Sequence, residues 1–309
     1  MRNSPVFVLS VIIFLAVLGD AKLIAQSLTF PTTLASGKPG LYDVSVQYSK
    51  FDVAPGVVRM MVYIPQSLQD AALSERPAII FFHGNSQDKN YYRNSVAYMT
   101  QRAEKFRFVL ISVQNWWMLS GGNVDGADDS RRAVNLLMHR MVDEDLCNRD
   151  KVYPTGFSAG GFNAVLTFFN SIDEFRDKEF AATYLQIAHE SGLEISDPAA
   201  HYYEGGGGVA FNTFPYAGFA SFKGNYYESF FQMNPMVEDG QPHFKKLLKG
   251  KVLFIAVGSN DVPRVKEQAP QAAEFFRMYT DTEPTFKIYQ GEGHVLSDAN
   301  WSDFWALVE

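Results

Sequence analysis

The stretch KVYPTGFSAGGFNAV at residues 151–165 places Ser158 between Gly156 and Gly160 in the pattern G-x-S-x-G. It follows a short apolar run and precedes a helical pattern. That is the setting of a nucleophile turn, a sharp strand-to-helix bend that leaves a serine hydroxyl exposed. The flanking glycines are then a steric requirement, because a side chain there would collide with the neighbouring strand and helix. Taken alone, the match fits an ordinary glycine-rich loop equally well. A serine hydroxyl is a poor nucleophile until a base takes its proton, so this chemistry also needs a histidine and an acid to orient it.

Both partners follow in the order acid, then histidine. Asp261 lies in GSND, after the apolar run VLFIAVG, and His294 lies in GEGH, after TFKIYQ. Each is thereby expected at the carboxyl end of a sheet strand, the edge where open α/β folds gather ligands. Glu190, which follows His189, is the reserve acid. His139, His201 and His243 have no second ligand at metal spacing, so neither a metal nor a cofactor is expected. The doublets Tyr91/Tyr92 and Trp116/Trp117 lie just past strand ends on the same edge. They suit stacking on a sugar or phenolic ring, or packing in the core.

Positioning these loops requires a particular set of elements. Residues 41–49 alternate Tyr42, Val44, Val46 and Tyr48 with polar partners, and 57–64 is a second extended run, so two antiparallel strands are expected first. PAIIFFHGN and FRFVLISV are continuous apolar runs, as strands buried on both faces of a parallel sheet require. A crossover helix is expected over 91–105, another helix from Asp129 that leads into the strand KVYPT, and an amphipathic helix after Ser158 from Phe162, Val165, Leu166 and Phe169. Runs at 181–188, 251–258 and 285–290 read as further strands, with helices over 268–279 and 297–308. Strands alternating with helices give an α/β fold, with a mainly parallel central sheet and helices on both faces. Residues 191–250 break the alternation with a glycine run at 205–208 and many aromatics, Phe211 to Phe231 among them. They are expected to form a cap-like insertion, the alternative being extra helices that pack their aromatics into the core.

The pieces FFHGN, RDKVYPTGFSAGG, VGSNDVP and GEGHVLS together make residues 40–309 resemble an α/β-hydrolase. The nearer resemblance is to the secreted polyhydroxybutyrate depolymerase and feruloyl esterase-like group. It implies Ser158 as nucleophile, His294 as general base and then acid, and Asp261 as the residue that holds the imidazole. The oxyanion donors it implies are the backbone N–H groups of Ala159 and Asn85, with Gly84 as the alternative to Asn85. By the same resemblance His83 is structural, tying its turn together. Trp116, Trp117 and Tyr91 are the candidate substrate contacts. The chain departs from the pattern in Pro154, inside the strand before the turn, and in the length of the insertion. The expected activity is hydrolysis of a carboxylic ester on a polysaccharide, a polyester or a small molecule. The alternatives are a serine peptidase of the same superfamily and a hydrolase-fold binding protein without activity.

Composition sets outer limits. The 309 residues are 47% hydrophobic and 20% charged, ordinary for a globular protein, with a high aromatic share of 15%. A net charge of −7 and the lack of a Lys/Arg run argue against a nucleic-acid partner. Arg2, the apolar run 6–18 and the small residues Gly19, Ala21 and Ala25 make residues 1–25 read as a secretory signal peptide cleaved after Ala21 or Ala25. The run is short of the roughly 20 residues of a membrane span. A secreted or periplasmic protein without a stable membrane anchor is expected, with 26–309 as its catalytic domain. Cys147 is the sole cysteine, so there is no internal disulfide, and with no histidine near it in sequence it is a poor nucleophile.

Overall fold

The computed structural model describes residues 26–48, 56–86, 88, 90–114, 125–169, 214–226, 237–238, 241–242, 248–279 and 282–309. In chain order the first half comprises β1 (Gln26–Thr29), α1 (Thr32–Ala35), β2 (Gly40–Tyr48), β3 (Gly56–Ile64), β4 (Ala78–Phe82), α2 (Tyr91–Phe106), β5 (Val109–Val113) and α3 (Asp125–Asp143). There follow β6 (Val152–Phe157), α4 (Ala159–Phe169), β7 (Gly218–Phe222), the short pair β8 (Val237–Glu238) and β9 (Gln241–Pro242), β10 (Val252–Gly258), α5 (Pro263–Tyr279), β11 (Thr285–Tyr289) and α6 (Asp298–Trp305). Nine strands form one sheet in the order β1-β2-β3-β5-β4-β6-β7-β10-β11. β1, β2, β3 and β5 are joined antiparallel. From β5 to β11 every pairing is parallel.

The alternation of side chains along a strand explains why the central runs are apolar throughout. Ile80 and Phe82, Ile111 and Val113, and Ile255 and Val257 enter one core, with residues of α3, α4 and α5. Ile79 and Phe81, Leu110, and Phe254 and Ala256 enter the other, with residues of α2 and α6. Both faces are thus covered by helices. In the second core Trp301 is fully buried, stacked on Phe108 at 5.9 Å with an interplanar angle of 18° and packed on Phe222 at 4.9 Å. Helix α6 begins with a capping box, in which Ser297 Oγ accepts from Asn300 N–H and Asn300 Oδ1 accepts from Ser297 N–H.

At 218–222 the structure departs from the cap expected over 191–250. Gly218–Phe222 is not above the sheet but inside it, between β6 and β10, with all five residues buried. The physical reason is again period two: Phe219 enters one core, and Ala220 and Phe222 enter the other. Of the other aromatics assigned to the cap, Phe214, Tyr216 and Tyr226 are buried in the first core. The strand expected at 181–188, most of the insertion and the leader lie outside the described residues.

Pro154 is accommodated by register. Its strand pairs with β4 across Ala78↔Val152 to Phe82↔Gly156, whereas pairing with β7 starts at Thr155↔Ala220. Val152 C=O accepts from Ala217 N–H on the β7 side. Pro154, two residues on, turns its donor-less nitrogen to that same side, before the β7 ladder begins.

Replacing Trp301 by alanine is expected to lower unfolding free energy by about 4 kcal/mol, because it empties the junction of α6 with the sheet. Urea denaturation measures this; a loss near zero would mean that α6 does not close the second core.

Candidate active site

At the end of β6 the backbone turns sharply into α4, and Ser158 at the turn has φ +57°, a left-handed conformation uncommon for a residue with a side chain. Close backbone approach on both sides makes the turn possible. A Cβ on Gly156 would lie 2.1 Å from Gly160 O, and a Cβ on Gly160 would lie 1.9 Å from Phe82 O. The segment after β7 holds the serine's own peptide groups: Ser158 N–H donates to Phe222 O at 3.0 Å, and Asn225 N–H donates to Ser158 O at 3.1 Å.

Asp261 and His294 reach this serine from two other loops. Ser158 Oγ is 2.9 Å from His294 Nε2, and His294 Nδ1 is 2.6 Å from Asp261 Oδ1. The carboxylate can only accept, so Nδ1 carries the proton and Nε2 is left to accept from the serine hydroxyl. The Asp261 side chain is fully buried, and it also accepts from Val262 N–H at 2.8 Å and Gly258 N–H at 3.2 Å. Its charge is therefore met by three donors. Phe157 packs on the imidazole at 4.8 Å between ring centroids. The acid and histidine loops are stitched together by Asn260 N–H to Glu292 O at 2.9 Å and Ser259 N–H to Tyr289 O at 2.9 Å.

No family profile and no curated protein matches the sequence. Solved structures do. A serine-to-alanine mutant of LAE6, an alpha/beta hydrolase enzyme from the metagenome of Lake Arreo, Spain, aligns with a TM-score of 0.50 at 13% identity over 97% of this chain and 94% of its own. EstE1, a thermophilic and thermostable carboxylesterase cloned from a metagenomic library, aligns with a TM-score of 0.50 at 13% identity over 89% of this chain and 90% of its own. The fold is that of an α/β-hydrolase.

The other sequence candidates distribute around these three residues, Ser158, His294 and Asp261. Ala159 opens α4, so its N–H has no partner within the helix and lies beside Ser158. Of the two residues considered for the second donor, Gly84 packs against the Ser158 turn, a Cβ on it falling 3.3 Å from Ser158 Cβ; Asn85 follows it and is exposed. His83 is buried and donates from Nδ1 to Gly84 O at 2.7 Å. Burial pushes its pKa below the ordinary 6.5, against smaller opposite pulls from that carbonyl and Asp88. The tyrosine doublet divides: Tyr92 is core, while Tyr91 is 41% exposed and meets the His83 ring edge-on at 5.0 Å. Burial raises the Cys147 thiol to about 12, which leaves it inert. Trp116, Trp117, His189, Glu190, His201 and His243 lie outside the described residues.

Beside His294 a cleft of about 360 Å³ opens between α2 and the histidine loop, its walls including Phe81, Phe157, Tyr91, Tyr98 and Leu296. Tyr98 O–H donates to Leu296 O at 2.6 Å, tying the two walls together. No Asp, Glu, Lys or Arg is among the described residues that line it.

Sequence reasoning missed the segment after β7, which grips Ser158. Its signal was present in GFASFKGNY, where a lone lysine directly follows a short strand-like run. Gly160→Ala is expected to cost about 3 kcal/mol, since its Cβ would overlap fixed backbone. Gly250→Ala, at φ +77° with open space around it, is expected to cost about 1 kcal/mol. Equal losses in thermal denaturation would argue against the tight turn.

Proposed function

We propose that the chain is a serine hydrolase of carboxylic esters, with Ser158 as nucleophile. The observation that carries the reading is the continuous relay Ser158 Oγ, His294 Nε2 at 2.9 Å, His294 Nδ1, Asp261 Oδ1 at 2.6 Å. In this scheme His294 Nε2 takes the hydroxyl proton as Oγ attacks the ester carbonyl. The imidazolium so formed is stabilised by the buried Asp261 carboxylate. The tetrahedral oxyanion is met by Ala159 N–H and a second backbone N–H from residues 84–85. The imidazolium then protonates the leaving alcohol. Water activated by the same nitrogen attacks the acyl-enzyme, releasing the acid and restoring Ser158.

The described residues lining the cleft include no Asp, Glu, Lys or Arg, which favours a neutral acyl or alcohol group, because an unpaired charge buried there would lose its hydration without compensation. The motif resemblance extends this to short acyl or phenolic esters on polysaccharides and to polyesters. The leader supports an exported enzyme. Mass spectrometry of protein recovered outside the cytoplasm is expected to begin at residue 22 or 26; an intact Met1 there would overturn this part.

The decisive measurement is hydrolysis of p-nitrophenyl acetate and butyrate. Ser158→Ala is expected to reduce kcat by roughly 1,000-fold or more. A succinyl ester is expected to react at least about 10-fold more slowly than the butyryl ester. Equal rates for wild type and Ser158→Ala would remove Ser158 from the chemistry, and cleavage of a chromogenic peptide but no ester would move the reaction to amides.

A further inference from the structure

Lys223 directly follows β7, in a left-handed conformation of φ +53°, with its side chain fully buried. Its Nζ donates to Glu292 Oε2 at 2.7 Å and to Gly293 O at 2.8 Å, so both residues before His294 are held by one ammonium. Glu292 is braced in turn by Ser297 Oγ at 2.8 Å and Asn300 Nδ2 at 3.2 Å. Burial alone would raise the Glu292 carboxyl, but the hydrogen bonds from Lys223, Ser297 and Asn300 outweigh it and keep the group ionised. The same short segment also reaches the Ser158 turn and the strand before Asp261. Phe222 and Asn225 bond the peptide groups of Ser158, and Lys223 N–H donates to Ala256 O at 2.7 Å, on the strand that leads to Asp261.

From this we infer that residues 222–225 form a strap that sets the nucleophile, acid and histidine loops relative to one another, and that Lys223 is its positioning residue, acting through Gly293 on the imidazole of His294. The inference rests on the proposed role of His294. Energetics favour alignment over stability as the function of the pair. An ammonium removed from water recovers in its ion pair little more than its desolvation costs, so such pairs contribute little net stability. Displacing a reacting group by about 1 Å, by contrast, costs about 100-fold in rate. His294 sits on a loop between β11 and α6, where neither ladder nor helix bonds fix its backbone. The two bonds from Lys223 add to the Asn260 N–H to Glu292 O bond in restraining it.

The test compares wild type, Lys223→Met, Glu292→Gln and the double variant. The Glu292 side chain is 21% exposed, so it stays hydrated when Lys223→Met removes its partner, while in Glu292→Gln the amide oxygen still accepts from the buried Lys223 ammonium, which gives a second route to a folded variant. Expected are a wild-type circular dichroism spectrum, kcat on p-nitrophenyl acetate lower by about 10- to 100-fold and KM within about twofold. The far-downfield proton resonance of His294 Nδ1–H, shared with Asp261, is expected to broaden or vanish. Folded variants with wild-type kcat and an unchanged resonance would overturn the strap. So would a loss of activity that only tracks a loss of folded protein. If the wild type cleaves no ester, the hydrolase reading fails, and the resonance still decides whether Lys223 aligns the histidine.

Discussion

The backbone of Gly160 lies against the carbonyl of Phe82 so closely that no Cβ fits between them. That contact lets α4 start directly at the end of β6 and forces Ser158 into a left-handed conformation. Much else in the fold supports this arrangement. β4 has to end at Phe82 for the approach to occur, β7 has to lie beside β6 to accept Ser158 N–H, and the loop after β7 has to turn back to meet Ser158 C=O. A strained residue persists only where its surroundings over-determine it, and here both of its peptide groups are bonded to a neighbouring segment.

The sheet carries that strain because it is buried on both faces. Its central strands contribute side chains alternately to two separate cores, so a shift of register by one residue would exchange every contact at once. The loops at the strands' carboxyl ends inherit this rigidity. The acid and histidine loops are bonded to each other, and the cleft wall on α2 is bonded to the histidine loop through Tyr98. Side chains from three loops therefore meet within hydrogen-bond distance, held by backbone bonds and packing.

Much of this was legible in the residues. Buried parallel strands advertise themselves as unbroken apolar runs, and the glycines beside Ser158, like the loops holding Asp261 and His294, follow such runs directly. β7 was not legible, for a physical reason. GFASF is short, three of its five residues are small, and the aromatics around it read as a surface cover, although Phe219 and Phe222 point to opposite cores. Lys223 and Glu292 were hidden differently. A lysine is by default a solvated residue, and nothing along the chain shows that a glutamate 69 positions later, by sequence separation, will neutralise it. Pro154 looked like a flaw in a central strand and proved harmless, because its missing donor faces a stretch without ladder bonds.

The hydrogen bond between Ser158 and His294 joins residues 136 positions apart. Contacts of such long range form late, since the chain between them must already be ordered before they return any free energy. His294 lies between the last strand and the last helix, and both must be docked before its ring meets the serine. Until β11 and α6 are in place, Ser158 lacks the imidazole that bonds it, so the relay assembles only after the long-range part of the fold has formed.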